Sequence, residues 1–155
     1  MDKKRCLIII DVQNDFISGS VATKQSKALK KDILKRIEIA TKNREDLYYT
    51  EHISYSEDFS INEIPYCLYG SPGGELDADI IAAINKYNKI NNEKLGSLIL
   101  KSTPGSEKIP CYNFLKYDCV EIIGINHENS LIVNKHLIET FFPKVNVHIP
   151  EKYLK

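Results

Sequence analysis

Short apolar runs alternate along the chain with longer stretches that have helical periodicity. The runs are rich in β-branched residues, which is typical of strands buried on both faces of a sheet. They predict five strands, at residues 6–10, 47–50, 97–100, 120–123 and 145–149. Apolar positions at three- and four-residue spacing predict three helices, at residues 22–42, 77–88 and 130–142.

This alternation predicts an α/β fold, namely a doubly wound, mostly parallel sheet of five or six strands with helices on both faces (a Rossmann-like three-layer sandwich). The length of 155 residues fits a single domain over residues 1–155. Ligands of such sheets bind at the carboxyl ends of the strands. The residues that directly follow the predicted strands are therefore the first candidates for a functional site.

Composition narrows the possible partners. Basic and acidic residues number 21 each, so the chain lacks the Lys and Arg excess of a nucleic-acid-binding protein. No apolar run approaches the roughly 20 residues of a membrane span, so we expect neither nucleic acid nor membrane as a partner. The four cysteines form no CxxC pair, which favours a reducing, cytoplasmic location over a zinc or redox motif.

Polar side chains follow three of the predicted strands. Asp11 comes directly after the first strand and Lys101 directly after the third. The turn after the fourth strand brings Asn126 and His127 to the same edge of the sheet, and it leads to Ser130 in the first turn of a helix. Each of these residues alone is commonly a cap or a solvated side chain. Their joint position predicts a pocket in which Asp11 and Lys101 form an ion pair.

Four motifs, in order along the chain, resemble the isochorismatase-like hydrolase superfamily, which includes nicotinamidases, N-carbamoylsarcosine amidases and isochorismatases. They are LIIIDVQNDF at 7–16, YGSPGGEL at 69–76, LILK at 98–101 and VEIIGI at 120–125. The resemblance implies the α/β fold predicted above and a hydrolase that acts on a small molecule. It also implies self-association, because many members are dimers or larger, so we expect a homo-oligomer.

The resemblance also implies a catalytic triad of Asp, Lys and Cys. Asp11 and Lys101 match its first two members, whereas Ser130 stands at the position of the cysteine. A cysteine beside a lysine and a helix N-terminus readily becomes a thiolate, but a serine hydroxyl needs a base to take its proton. The catalytic residues expected are therefore Asp11, Lys101 and Ser130, with Asp11 as the base. Superfamily members have a cis peptide bond in this turn, which by position is the Ile125–Asn126 bond.

Further side chains are expected to bind the substrate because of their place in the motifs or in the loops beside them. They are Phe16, Tyr66, Phe114, Asn126 and His127.

No metal or other cofactor is expected. Nicotinamidases of this superfamily bind a divalent metal through an Asp-x-His pair and a later His. Here Thr50 replaces the Asp, His52 is retained, and Tyr66 stands at the later His. One imidazole does not make a zinc site, so we expect His52 to be mainly a loop residue.

Two mechanisms fit a hydrolase with these residues, and a third interpretation needs no catalysis. In the first mechanism, Ser130 attacks an amide-type carbonyl and an amide C–N bond breaks. In the second, Asp11 acts as a general acid on a vinyl ether and no nucleophile is required. The alternative interpretation is a catalytically impaired member of the superfamily that serves as a small-molecule-binding or scaffold protein.

Overall fold

The computed structural model describes residues 3–91 and 97–155, which form one parallel sheet with helices packed on it. The sheet has five strands in the order β3-β2-β1-β4-β5, and all four strand pairings are parallel. The strands are β1 (Arg5–Ile10), β2 (Asp46–His52), β3 (Ser97–Lys101), β4 (Cys119–Gly124) and β5 (Asn146–His148). The predicted parallel α/β sheet is confirmed.

The described ranges contain four α-helices between their strands. They are α1 (Asn14–Ile17), α2 (Lys24–Asn43), α3 (Ala78–Ile90) and α4 (Ser130–Phe141). Helices α2 and α3 pack against each other, whereas α4 packs on β4 and β5. Strands β2 and β3 lie on one side of β1, and β4 and β5 lie on the other. Because crossovers between parallel strands are right-handed, α4, which connects β4 to β5, lies on the opposite face of the sheet from α2 and α3. None of the helices in the described ranges combines the length and apolar character that a membrane crossing requires.

The central strand β1 explains why the apolar runs carry the fold. Its residues from Cys6 to Ile10 are completely buried, with β2 on one side and β4 on the other. Helix α2 buries the apolar stripe Leu29, Ile33 and Ile37, as its periodicity predicts, and packs on the neighbouring strand β4. A strand buried on both faces and both edges has no exposed position for a polar side chain. The first polar residue, Asp11, therefore comes where the strand ends.

Two short features of the fold have no clear signal in the sequence. Helix α1 has only four residues, too few to show a helical period. The stretches expected to be irregular contain single 3₁₀ turns, among them Ser56–Asp58, Ile109–Cys111 and Phe114–Lys116. These turns decide where the loop side chains point.

The turn between β4 and α4 differs from the expectation. The Ile125–Asn126 bond is trans, and the described residues contain no cis peptide bond. A trans bond is the lower-energy form for a residue that is not proline. The chain reverses direction here through left-handed backbone angles instead, with φ of 131° at Gly124, 49° at Glu128 and 59° at Asn129.

We expect Gly124→Ala to destabilise the protein by about 3 kcal/mol or more. A Cβ at this position would lie 2.1 Å from the carbonyl oxygen of Ile10 and 2.7 Å from its nitrogen, so strands β1 and β4 would have to separate. The measurement is urea denaturation followed by circular dichroism.

Gly70→Ala is the matched control for this variant. Gly70 also has a positive φ, of 74°, but a Cβ there would meet no atom within 4 Å. Only the backbone strain applies, so we expect a loss of about 1 kcal/mol. Equal losses in the two variants would show that the contact with Ile10 is unimportant.

Candidate active site

Asp11 directly follows β1 and lies in the left-handed region, with φ of 56°. Asp is one of the residues that tolerate this region. The turned backbone lets the Asp11 N–H donate to Thr50 Oγ1 (3.1 Å), and the Thr50 hydroxyl in turn donates to Asp11 Oδ1 (3.3 Å). The carboxylate is therefore anchored to the neighbouring strand β2.

Lys101 ends β3 and reaches across β2 to the same carboxylate. Its Nζ lies 2.9 Å from Oδ1 and 3.0 Å from Oδ2 of Asp11. The ammonium group also donates to the carbonyl of Thr103 (3.2 Å) and lies 3.4 Å from Nδ1 of His52. The expected ion pair is thus present, and each of the three N–H bonds of the ammonium group has an acceptor nearby.

Burial controls the protonation of Asp11. Loss of water around the carboxyl raises the pKa of Asp11 above its ordinary value. The charge of Lys101 and hydrogen bonds from Lys101, Ser130 and Thr50 oppose that rise without cancelling it. The result is a carboxylate that is a stronger base than an exposed one.

Ser130 is the first residue of α4 and lies next to the ion pair. Its Oγ donates to the carbonyl of Ile125 (3.0 Å), and its hydroxyl is close enough to the Asp11 carboxyl to lower the pKa of that group. Asp11 is 2%, Lys101 4% and Ser130 0% exposed. The structure therefore brings the three expected catalytic side chains together in a buried cluster.

The backbone N–H groups around Ser130 are engaged within the turn. The Asn129 N–H donates to the carbonyl of Asn126 (3.3 Å), and the Leu131 N–H donates to the side-chain oxygen of Asn126 (3.0 Å). The Ser130 N–H donates to the carbonyl of His127. Asn126, expected to bind substrate, therefore uses its side-chain oxygen to cap α4.

Four rings contact one another, and one of them, that of His52, also contacts Lys101. We call them the aromatic cluster: Phe16, His52, Tyr66 and His127. The ring of His127 is 4.9 Å from that of Phe16 and 4.7 Å from that of Tyr66, while His52 is 5.5 Å from Tyr66. The Tyr66 hydroxyl donates to Glu128 Oε1 (3.3 Å). Three of the expected substrate-binding residues, Phe16, Tyr66 and His127, are thus neighbours.

A cleft of about 520 Å³ opens beside the aromatic cluster. Its walls include three rings of the cluster, those of His52, Tyr66 and His127, as well as Phe59 and Pro104. The triad residues do not line this cleft. A ligand in the cleft therefore contacts these rings, and His52 connects the cleft wall to Lys101.

The structure places His52 and Phe114 differently from the expectation. His52 is not mainly a loop residue: it ends β2, opposite Lys101 in the register of the sheet. It lies two residues after Thr50, on the strand face that contacts Asp11, and this period-two spacing is the signal in the sequence that could have identified it.

Phe114 belongs to the core and not to the cleft. A 3₁₀ turn buries its ring between Tyr48 (5.6 Å) and Phe142 (5.6 Å), so we assign it a packing role.

The residues at the position of the nicotinamidase metal site do not fit a divalent cation. The Thr50 hydroxyl is bonded to Asp11, the Tyr66 hydroxyl donates to Glu128, and Nδ1 of His52 faces an ammonium group. Within residues 3–91 and 97–155, no group of three or more His, Cys, Asp or Glu side chains is placed to hold a metal ion. A bound cation here would also be repelled by the ammonium group.

Comparisons with known proteins show the same fold. No protein-family model matches the sequence, and no curated protein is significantly similar to it. A nicotinamidase from Bacillus subtilis superposes with a TM-score of 0.77 at 14% identity, over 97% of this chain and 85% of that one. N-carbamoylsarcosine amidase from Thermoplasma acidophilum gives 0.75 at 17% identity, over 97% and 83%. An isochorismatase family protein from Desulfovibrio vulgaris gives 0.74 at 14% identity, over 98% and 82%.

These similarities show that the chain has the α/β fold of the isochorismatase-like hydrolases. The identities are low, so the fold is what the comparison establishes. What the chain does has to be argued from its own site.

We expect Lys101→Met to destabilise the protein by about 3–5 kcal/mol at pH 7, because it leaves the Asp11 carboxylate buried without a counter-charge. This loss of stability should be smaller at lower pH, because Asp11 then takes up a proton and becomes neutral. It should also be smaller in the double variant Asp11→Asn/Lys101→Met. Denaturant titrations at several pH values measure both effects.

The control is Lys42→Met, which removes an exposed ion pair with Glu38. It should change stability by less than about 0.5 kcal/mol at any pH. If the two lysine variants behave alike, the buried pair contributes no more than a surface pair.

His52 should make stability depend on pH. Burial, the charge of Lys101 and the proximity of His127 lower the pKa of His52 from 6.5 to about 4. Between these values the unfolded chain binds a proton that the folded chain does not, so the free energy of unfolding falls as the pH falls. Between pH 7.5 and pH 5 we expect a loss of about 1–2 kcal/mol that is absent in His52→Gln.

Denaturant titrations at the two pH values measure this loss. His148→Gln, a change of an exposed histidine, should keep the pH dependence of the wild type. If the free energy of unfolding depends on pH in the same way in the wild type and in His52→Gln, the lowered pKa of His52 is contradicted.

Proposed function

We propose that this chain is a hydrolase of the isochorismatase-like superfamily that cleaves an amide C–N bond in a small molecule. The observation that carries the proposal is the buried Asp11–Lys101 ion pair with Ser130 beside it at the start of α4. The ordered sequence motifs and the fold shared with amidases support it. The cleft of about 520 Å³ has the size of a small-molecule site.

In the proposed acylation step, the Ser130 hydroxyl turns from the Ile125 carbonyl to the Asp11 carboxylate, and Oγ attacks the amide carbon while Asp11 takes the hydroxyl proton. Burial helps, because a carboxylate with a raised pKa is a better base. Lys101 keeps its proton and compensates the charge of Asp11 before the transfer. The tetrahedral intermediate then loses ammonia or an amine, which receives the proton from Asp11 and leaves an ester on Ser130.

In the proposed deacylation step, water attacks the ester carbon and Asp11 takes its proton. The C–O bond to Ser130 breaks, the proton returns to Oγ, and the free carboxylic acid leaves. In both steps the substrate's carbonyl oxygen becomes negatively charged and requires a hydrogen-bond donor. The N–H groups of Asn129, Ser130 and Leu131 are engaged in the turn and do not supply it in this arrangement.

One observation favours vinyl-ether cleavage as a second candidate. The raised pKa of Asp11 suits a general acid as well as a base. Protonated Asp11 would transfer its proton to the alkene carbon, water would add to the resulting oxocarbenium ion, and the C–O bond would break to release a carbonyl compound and an alcohol. Ser130 would have no covalent part in that reaction.

Substitutions at Ser130 separate these two reactions. On a panel of small primary amides, we expect slow turnover by the wild type, at least about tenfold faster turnover by Ser130→Cys, and none by Ser130→Ala. On isochorismate, Ser130→Ala should retain any activity, while Asp11→Asn should abolish both reactions. Ser60→Ala, at an exposed loop position, is the control and should match the wild type.

A result of no turnover by either the wild type or Ser130→Cys would contradict a hydrolase. It would favour the alternative of a catalytically impaired member that binds small molecules or serves as a scaffold. Activity in Ser130→Cys alone would show that only the nucleophile is inadequate.

We also propose a cytoplasmic location and a homo-oligomer, with no nucleic-acid or membrane partner. All four cysteines are free, which suits a reducing compartment. Light scattering of the purified protein measures the oligomeric state directly, and a monomer would contradict that part of the proposal.

A further inference from the structure

The contact between Lys101 and His52 determines which nitrogen of the imidazole carries a proton. Lys101 Nζ lies 3.4 Å from Nδ1 of His52, and an ammonium group has only donors. Nδ1 must therefore be the unprotonated, accepting nitrogen. In a neutral ring the proton then resides on Nε2.

Contacts to both the backbone and the ring of His52 restrict its position. The buried side chain of Gln13 accepts from the backbone N–H of His52 (2.7 Å) and donates to its backbone carbonyl (2.7 Å). Phe16 packs nearly perpendicular to the imidazole, with the two ring planes at 81°, and Tyr66 lies on it at 5.5 Å. A donor fixed in this way is preorganised, which is what makes such donors effective on a developing charge.

The environment keeps this imidazole neutral. Burial, the charge of Lys101 and the nearby His127 lower the pKa of His52 to about 4, while Asp58 opposes the shift weakly. At neutral pH the ring is therefore a donor through Nε2 and an acceptor through Nδ1, with no net charge. His52 also lines the cleft in which a ligand would bind.

Several other donors near the triad are already committed, whereas the buried Nε2 of His127 has no hydrogen-bond partner among the described residues but makes no contact with the ion pair there. The N–H groups around Ser130 bond within the turn, and the Tyr66 hydroxyl donates to Glu128. Thr50 donates to Asp11. His52 combines a place in the cleft wall with direct contact to the ion pair.

We propose that His52 donates a hydrogen bond from Nε2 to the reacting carbonyl oxygen of the substrate, in the tautomer that Lys101 imposes on its ring. The proposal rests on the amide hydrolysis proposed above and adds a catalytic residue to it. Lys101 then has two roles: it balances the charge of Asp11, and it orients the proton of His52. No covalent step changes, because His52 keeps its proton throughout.

Nitrogen NMR tests the tautomer without any reaction. In ¹⁵N-labelled protein, long-range ¹H–¹⁵N correlations distinguish a protonated from an unprotonated ring nitrogen, and substitution assigns the signals of the four histidines. We expect His52 to be protonated on Nε2 alone at pH 7, and Lys101→Met to shift part of the population to the Nδ1-protonated form. Protonation on Nδ1 in the wild type would overturn the proposal.

A matched pair of substitutions tests the catalytic role. In His52→Gln the amide nitrogen takes the place of Nε2, so a donor to the cleft remains. In His52→Asn the amide takes the place of Nδ1, so a partner for Lys101 remains but the donor to the cleft is lost. We expect kcat on a primary amide to fall about 10²-fold in His52→Asn and about 10-fold or less in His52→Gln. Equal losses in the two variants would overturn the proposal, even with the fold intact by circular dichroism.

Further results distinguish a failure of this proposal from a failure of the proposed function. If amides turn over but His52→Asn matches the wild type, the hydrolase stands and the role of His52 is wrong. If no variant turns over an amide, titration with benzamide decides: a shift of the His52 Nε2–H signal supports donation to a bound carbonyl, and no shift overturns it. Turnover that a chelator abolishes and a divalent metal restores would also overturn it, because Nε2 would then be a metal ligand.

Discussion

The buried ion pair between Asp11 and Lys101 is the interaction on which the rest of the site depends. Moving two charges out of water costs several kcal/mol for each ion, and only close contact with further hydrogen bonds compensates that cost. Thr50 and Thr103 supply hydrogen bonds around the pair, and His52 provides an acceptor for Lys101. The polar groups at this edge of the sheet are thus largely determined by the need to surround one pair of charges.

The order of the strands explains which residues surround the pair. Asp11 follows β1 and Lys101 ends β3, so the pair spans the strand between them, β2. The alternate residues Thr50 and His52 at the end of β2 face that same space. Thr50 contacts the carboxylate and His52 contacts the ammonium group. A change in the register of β2 by one residue would turn both away.

Much of this architecture can be predicted from the sequence, because the responsible patterns are local. The apolar run before Asp11 and the strand-like residues before Lys101 mark two strand ends, and parallel strands bring such ends to one edge. The spacing of two residues from Thr50 indicates which strand face His52 occupies, but its contact with Lys101 depends on register with a strand 49 residues further along the chain, which no local pattern encodes. Phe114 is a similar case, because a 3₁₀ turn in a turn-rich loop decides whether its ring faces the cleft or the core.

The burial of Ser130 has a kinetic consequence. Its side chain is completely buried, so no molecule reaches the hydroxyl until a neighbouring group moves. The frequency of that motion is an upper limit on the rate of any reaction at Ser130, whatever its chemistry. The same barrier acts on water, so an ester formed on Ser130 would persist until that movement recurs. Covalent adducts that are short-lived in an open active site would be long enough lived here to be seen by mass spectrometry.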